Sequence, residues 1–405
     1  MSSPLDSTYS WQRLILSIVI STIGSIGMWA VIMVLPQVQS DFGVERGEAS
    51  LAYSATMLGF ALGNFLIGRF VDRYGIYLAL VIAAIAQAAG FALAAMSSNF
   101  WMFALLQGTL IGASTAVTFG PLIADVSHWF HRRRGVAIAA IASGNYLAGT
   151  IWPLLLSDVL AQDGWRQAYL IIAITMIVVM LPLAFGLRRR PPYQTSQSSV
   201  TGQSSITRQI DLSPRTLTIL LAVAGVGCCV AMAMPQVHIV ALSADLGFGV
   251  QAGAQMLSLM LAGGIVSRIL SGLLADKIGG VKTLLIGSVL QTLALFLYLP
   301  FDSLSALYAA SLIFGLSQGG IVPSYAVIIR EYLPAEVAGE RVGMVIMATV
   351  LGMAFGGWLS GWIFDQTGSY KIAFINGIGW NILNIFIVAV ILWKTGRKTP
   401  RPKFA

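Results

Sequence analysis

One arginine stands inside an apolar run: Arg268, in 262-AGGIVSRILSGLLADKIGG-280, a short way before Asp276 and Lys277. A guanidinium stays charged and presents a planar fork of N–H donors that matches a carboxylate two bonds at a time. At a bilayer centre such a side chain costs roughly 2.5–3.5 kcal/mol on insertion scales, and intramembrane charges usually line a cavity. At about 1.5 Å per helical residue, Arg268 lies about 12 Å in from Asp276. Snorkelling over that distance would be a stretch, and bonding to a backbone carbonyl is the bland alternative. Every acidic residue sits at the end of an apolar run or in a connection. With no carboxylate beside it, the chemistry this arginine fits is anion binding.

Other side chains could complete such a site. Asn145 and Tyr146 fall in 144-GNYLAGTIWP-153, Gln318 and Tyr325 in the tenth run, and Ser114 and Thr118 in the fourth. Each could bond a carboxylate or hydroxyl, or equally glue helices together at under about 1 kcal/mol per contact. Trp29 could wall the cavity. His238, near the outer end of the seventh run, changes charge near neutral pH and is the candidate for carrying a coupled proton. His128 and His131 belong with Arg132–Arg134 to a basic connection. Cys228 and Cys229 are adjacent on an apolar segment and read as small hydrophobes rather than a disulfide or metal pair.

These residues require membrane helices to position them. Of 405 residues 57% are hydrophobic and 10% charged, against about 25% charged in soluble domains; mean hydropathy is +0.81. Each crossing needs about 20 apolar residues. Twelve spans are expected: 13–35, 50–69, 76–96, 100–124, 135–160, 165–187, 215–240, 252–272, 281–299, 304–329, 342–364 and 371–393. The first is too long for a signal-peptide core and reads as a retained helix. The fold class is an all-α membrane protein of two six-helix bundles, 1–187 and 214–405, joined by a polar, flexible linker over 188–213. With the termini in the cytoplasm, that side holds 20 of the 24 Lys and Arg, the outside holds Arg46, Arg166 and Lys371, and Arg268 lies between. The net charge of +8 follows this topology and does not imply nucleic acid.

Two connections repeat. 68-GRFVDRYG-75 and 272-GLLADKIG-279 share G-x-x-x-D-[RK]-x-G at an offset of 204. Gly68, Asp72, Arg73 and Gly75, with Gly272, Asp276, Lys277 and Gly279, are the expected gating loops. Their glycines permit tight turns, and each Asp could face a neighbouring helix N-terminus. Gly59–Gly63, Gly352–Gly356 and Gly357–Gly361 are small-xxx-small pairs that let helices approach closely.

The doubled loop resembles the signature of the major facilitator superfamily, over essentially the whole chain. The stretches 121-PLIADVSHWFHRRRGVAIA-139, 235-PQVHIVALSADLGF-248 and 267-SRILSGLLADKIG-279 look like its monocarboxylate and oxalate transporter branch, including bacterial members. The resemblance implies a monomeric secondary carrier of a small organic anion in the plasma (bacterial inner) membrane, working by alternating access, with a proton as candidate partner. The oxalate carriers' second buried cation, a lysine, falls here at Thr349, which suits a monoanion better than a dianion. Many animal monocarboxylate carriers place an Asp where this chain has Gly264. No nucleotide-binding loop, HExxH or metal-ligand cluster is present, so no enzyme activity and no cofactor are expected. An exporter of drugs or apolar solutes is the alternative, although 149-GTIWP-153 departs from that family's adjacent Gly-Pro and no buried acid is evident. A non-transporting sensor would need a longer tail or linker.

Overall fold

In a computed structural model, which describes residues 5–189 and 210–395, the chain is helical, with no strand among the described residues. Twelve helices are long and apolar enough to cross a bilayer. In order they are α1 (Thr8–Phe42), α2 (Arg46–Tyr74), α3 (Ile76–Ala95), α4 (Phe100–Ser127), α5 (Arg134–Gln162), α6 (Gly164–Phe185), α7 (Pro214–Asp245), α8 (Gly249–Ile278), α9 (Gly280–Leu297), α10 (Leu304–Tyr332), α11 (Ala335–Thr367) and α12 (Tyr370–Thr395). Each expected span falls on one of them. Several helices outrun their apolar stretch because caps end them, not hydropathy. Ser213 accepts from the Thr216 amide ahead of Pro214 to open α7, while Gly43 and Gly368 close α1 and α11 in the left-handed conformation. Most of the expected linker, residues 190–209, lies outside the described residues. An even number of crossings puts the starts of α1 and α7 and the end of α12 on one face, the terminal face; the opposite one is the far face.

The two halves repeat in backbone geometry. Gly75 (φ 87°, ψ 162°) and Gly279 (φ 87°, ψ 161°) make the same turn, each closing its helix through a bond to the carbonyl of Val71 or Ala275. That region of backbone space is open essentially to glycine alone. Gly279→Ala is therefore expected to cost about 1–3 kcal/mol, read as a lowered unfolding temperature in detergent; an unchanged temperature would contradict the assignment. Close helix approach follows the repeat as well. Gly112 on α4 packs on the Thr56 carbonyl of α2, and Gly315 on α10 packs on the Met260 carbonyl of α8, with Thr56 and Met260 again 204 apart.

Four helices are interrupted within the membrane: α1 at Ser25, α4 at Phe119, α5 at Ser143 and α10 at Gly319–Gly320. Such breaks leave carbonyls at the end of the first segment without an intrahelical partner. Two of these breaks meet at Arg268.

Candidate functional site

Arg268 projects from α8 toward the breaks in α5 and α10. Its Nη1 donates to the Ala142 carbonyl at 2.9 Å and its Nε to the Gly319 carbonyl at 3.4 Å. Ala142 is the last residue of α5's first segment, and Gly319 caps the first segment of α10. Both carbonyls thus sit at the negative ends of half-helices. The Tyr146 ring covers one face of the guanidinium, 4.2 Å from its Cζ. Among the described residues no carboxylate stands beside it; it bonds backbone carbonyls, the bland alternative left open by the sequence, and all its partners are uncharged. Two partial dipoles and a ring steady the cation without neutralising it. Arg268 is half-buried, and among the described residues its Nη2 makes no hydrogen bond.

Tyr146, Gln318 and Asn145 are brought near this cation. A methyl group built on Gly264, one turn before Arg268, would stand 2.8 Å from Cδ1 of Tyr146 and 3.6 Å from Nε2 of Gln318. Gln318 accepts through Oε1 from Nε2 of Gln236 at 2.9 Å. Its own Nε2 makes no hydrogen bond although the residue is only 1% exposed, leaving a buried donor unsatisfied. Asn145 accepts through its carbonyl and Oδ1 from the Trp29 indole N–H at 3.0 and 2.9 Å, so it fixes the wall more than it offers a free group. Trp29 and Leu261 close over Gly149. Gln236 was not anticipated from the sequence; a glutamine on a continuous apolar helix gives no sign of which neighbour it will meet.

Three candidates are placed elsewhere. The Tyr325 hydroxyl bonds Asn384 Oδ1 at 3.1 Å and Cys228 Sγ at 3.3 Å, within a polar network of α7, α9, α10 and α12 that includes Ser288 and Asn381. Ser114 donates to the carbonyls of Leu110 and Ile111 in its own helix. Thr118 donates back to the Thr115 carbonyl and meets Ser25, which fastens α4 to α1. These hydroxyls are spent on packing and helix satisfaction, so the expectation that they line the Arg268 site is corrected.

His238 also stands apart. Its ring nitrogens meet the Gly357 carbonyl at 2.8 Å and the Tyr370 hydroxyl at 3.2 Å, fully buried near the far face. That places it in an assembly the sequence did not reveal. Arg46, at the start of α2 and 5% exposed, forks onto Asp245 at the end of α7 at 3.0 and 3.1 Å. The same guanidinium bonds Tyr370 and Gln39, with Phe364 4.8 Å from its Cζ. Asp365, at the end of α11, accepts from the backbone N–H groups of Arg46 and Gly47 at 2.9 and 2.6 Å, capping α2 from the other half. Ser54 donates to the Ala354 carbonyl at 2.6 Å, and Gln251 to Asp158 at 3.1 Å. The halves are therefore fastened together at the far face.

The gating loops are looser. Gly68 and Gly272 face open space, Arg73 is exposed, and Asp276 and Lys277 are exposed without an ion pair among the described residues. Nothing is described for the Asp72 side chain. In the second half the helix-capping acid is Glu331, not Asp276: its carboxylate accepts from the Gly280 amide at 3.1 and 3.2 Å, at the start of α9. Asp276 sits on the last turn of α8, pointing to solvent, whereas Glu331 reaches over from α10.

The arrangement is thus a buried donor set at mid-depth, between two halves that are closed at one face and carry an unengaged loop pair at the other. Transporters built of two six-helix halves have their sites near such a midplane junction. Comparison with known proteins gives the family. Monocarboxylate transporter 13 of Bos taurus is 27% identical over 331 residues, 81% of this chain and 75% of that protein. The agnestins efflux protein AgnL12 of Paecilomyces divaricatus is 24% identical over 336 residues, 82% of this chain and 76% of that one. In fold, the chain superposes with a TM-score of 0.76 at 14% identity on a crystal structure of a bacterial homologue of the human lysosomal transporter Spinster, inward-facing and occupied, over 98% of this chain and 100% of that one. The family described as Major Facilitator Superfamily matches over residues 17–253 and 219–405, and the chain belongs to it.

Proposed function

We propose that this transporter is a secondary carrier of a small organic monoanion, most simply a monocarboxylate, with Arg268 as its anchor. The carrying observation is the guanidinium itself: a mid-membrane cation held only by carbonyl ends and a ring, with Nη2 free and the unsatisfied Nε2 of Gln318 close by. One carboxylate fits that set, its two oxygens on the arginine fork and a further acceptor on the amide. The single formal charge favours a monoanion over a dianion. Gradients supply the energy, and the halves rock about the site, with the termini in the cytoplasm and the far face outside, as the Lys and Arg distribution supports. The second reading, efflux of drugs or other apolar solutes, is favoured by the efflux protein among the relatives and by the Trp29, Tyr146 and Leu261 side chains beside the site.

The test is thermal unfolding of purified protein against a panel of short monocarboxylates, dicarboxylates and lipophilic cations. A ligand at 100 times its dissociation constant stabilises by about 2.7 kcal/mol. Short monocarboxylates are expected to raise the unfolding temperature and lipophilic cations to leave it unmoved. The reverse pattern would sink the anion reading.

A further inference from the structure

We infer that Tyr146, lodged in the notch left by Gly264, is the positioning residue that stands in for an acidic partner of Arg268, so that the anion crosses without a proton. This rests on the monoanion reading and adds its coupling.

The notch is specific. Position 264 lies one helical turn from Arg268, where side chains four apart face each other. Any side chain there would displace the Tyr146 ring, whose Cδ1 is 2.8 Å from a built Cβ. With glycine, the ring slides in and covers the guanidinium face at 4.2 Å. A ring on the face leaves the N–H edge in plane and open to a carboxylate, and attracts the cation through its π face. Tyr146 and Ala142 belong to α5 while Arg268 belongs to α8, so both contacts cross between the halves and hold the cation while the site is empty.

Among the described residues no alternative proton carrier faces Arg268. On the helices packed against α8, the acids are Asp41, Asp158, Asp245 and Glu331, all within a turn or two of a helix end, as is Arg330. Besides Tyr146 itself, the titratable groups deeper in those helices are Cys228, Cys229, Tyr325 and His238. Cys228 and Tyr325 bond each other, the Cys229 thiol lies against that of Cys228, and His238 is engaged with Gly357 and Tyr370. Empty, the centre holds one net positive charge. Loaded with a monoanion it is neutral. Exchange of one anion for another therefore moves no net charge, whereas net uptake returns an empty, charged carrier and responds to membrane potential.

Proteoliposomes give the test, with labelled short monocarboxylate as the probe. In wild type, exchange is expected to ignore imposed potential, and net uptake to fall about tenfold when the interior is made negative. An inward proton gradient should produce no accumulation. Tyr146→Phe keeps the ring and should hold KM within about twofold, while Tyr146→Leu raises it about tenfold. Gly264→Asp supplies the missing acid, and uptake by that variant should become dependent on pH and driven by a proton gradient. Proton-driven accumulation by wild type, or an unchanged KM in Tyr146→Leu, overturns the inference while leaving the monoanion site intact. No carboxylate flux at all in wild type would remove the site reading itself, and this inference with it.

Discussion

Arg268→Gln is expected to lower monocarboxylate uptake in proteoliposomes by at least about a hundredfold, and Arg268→Lys by about tenfold. A hydrogen bond to a charged group contributes about 1.5–3 kcal/mol, so a two-point fork lost to glutamine removes about 3–5 kcal/mol of binding. Lysine keeps the charge but not the planar fork. It would also lose the stacking on Tyr146 and one of the two carbonyl bonds, because the ammonium is a point charge that cannot reach Ala142 and Gly319 as a plane does. Arg268→Gln should abolish the thermal shift produced by carboxylates and Arg268→Lys should reduce it, both leaving the unfolding temperature of the empty protein within a few degrees. That control matters because the guanidinium also bridges α5, α8 and α10. If uptake by both variants matched wild type, the anchor would lie elsewhere.

Arg46→Gln is expected to release the far face. The Arg46 side chain alone gathers Asp245, Tyr370 and Gln39, and each lost hydrogen bond to a charged group costs about 1.5–3 kcal/mol, here from a buried guanidinium onto a partly exposed carboxylate. Here the cost falls on one conformation only, because the contacts cross between halves and must break for the far face to open. A bias of that size shifts a two-state population by about thirtyfold or more. Cysteines placed on the facing ends of α2 and α11 should therefore label faster in Arg46→Gln, with transport slowed because the closed state is harder to reach. Asp245→Asn should act in the same direction more weakly, since an amide still accepts one bond. Asp365 caps α2 through the backbone at 2.9 and 2.6 Å, so Asp365→Asn should add to either change. Labelling rates unchanged in all three variants would mean these contacts do not gate the far face.

Tyr370 links this lock to His238. The histidine thus belongs with the contacts that close the far face, about three turns of α7 beyond Cys228. Its placement illustrates how a residue picked for its chemistry alone can be put to a positional use.

The sequence by itself determined what depends on local composition and spacing. Twelve apolar runs fix twelve crossings because each must satisfy its own backbone within the bilayer. The repeated loop fixes two related halves, and Gly75 and Gly279 adopt matching dihedrals because only glycine tolerates that turn. Arg268 was legible because one cation in an apolar run is costly wherever the run goes. What only the tertiary structure decided is what each polar side chain meets. Ser114, Thr118 and Tyr325 had the same sequence credentials as Gln318, yet the first three bond backbone or neighbouring helices and only Gln318 keeps a free donor. The breaks at Ser143 and Gly319 carry no proline; the pairs Ser143–Gly144 and Gly319–Gly320 weaken the helix there, but that such a weak point opens toward Arg268 is decided by packing. Arg46 and Asp245 are 199 residues apart, and Arg46 and Asp365 are 319 apart. Hydropathy and periodicity report how one helix faces its surroundings. Pairings over such distances arise from how two bundles dock, and docking is settled by packing across the interface.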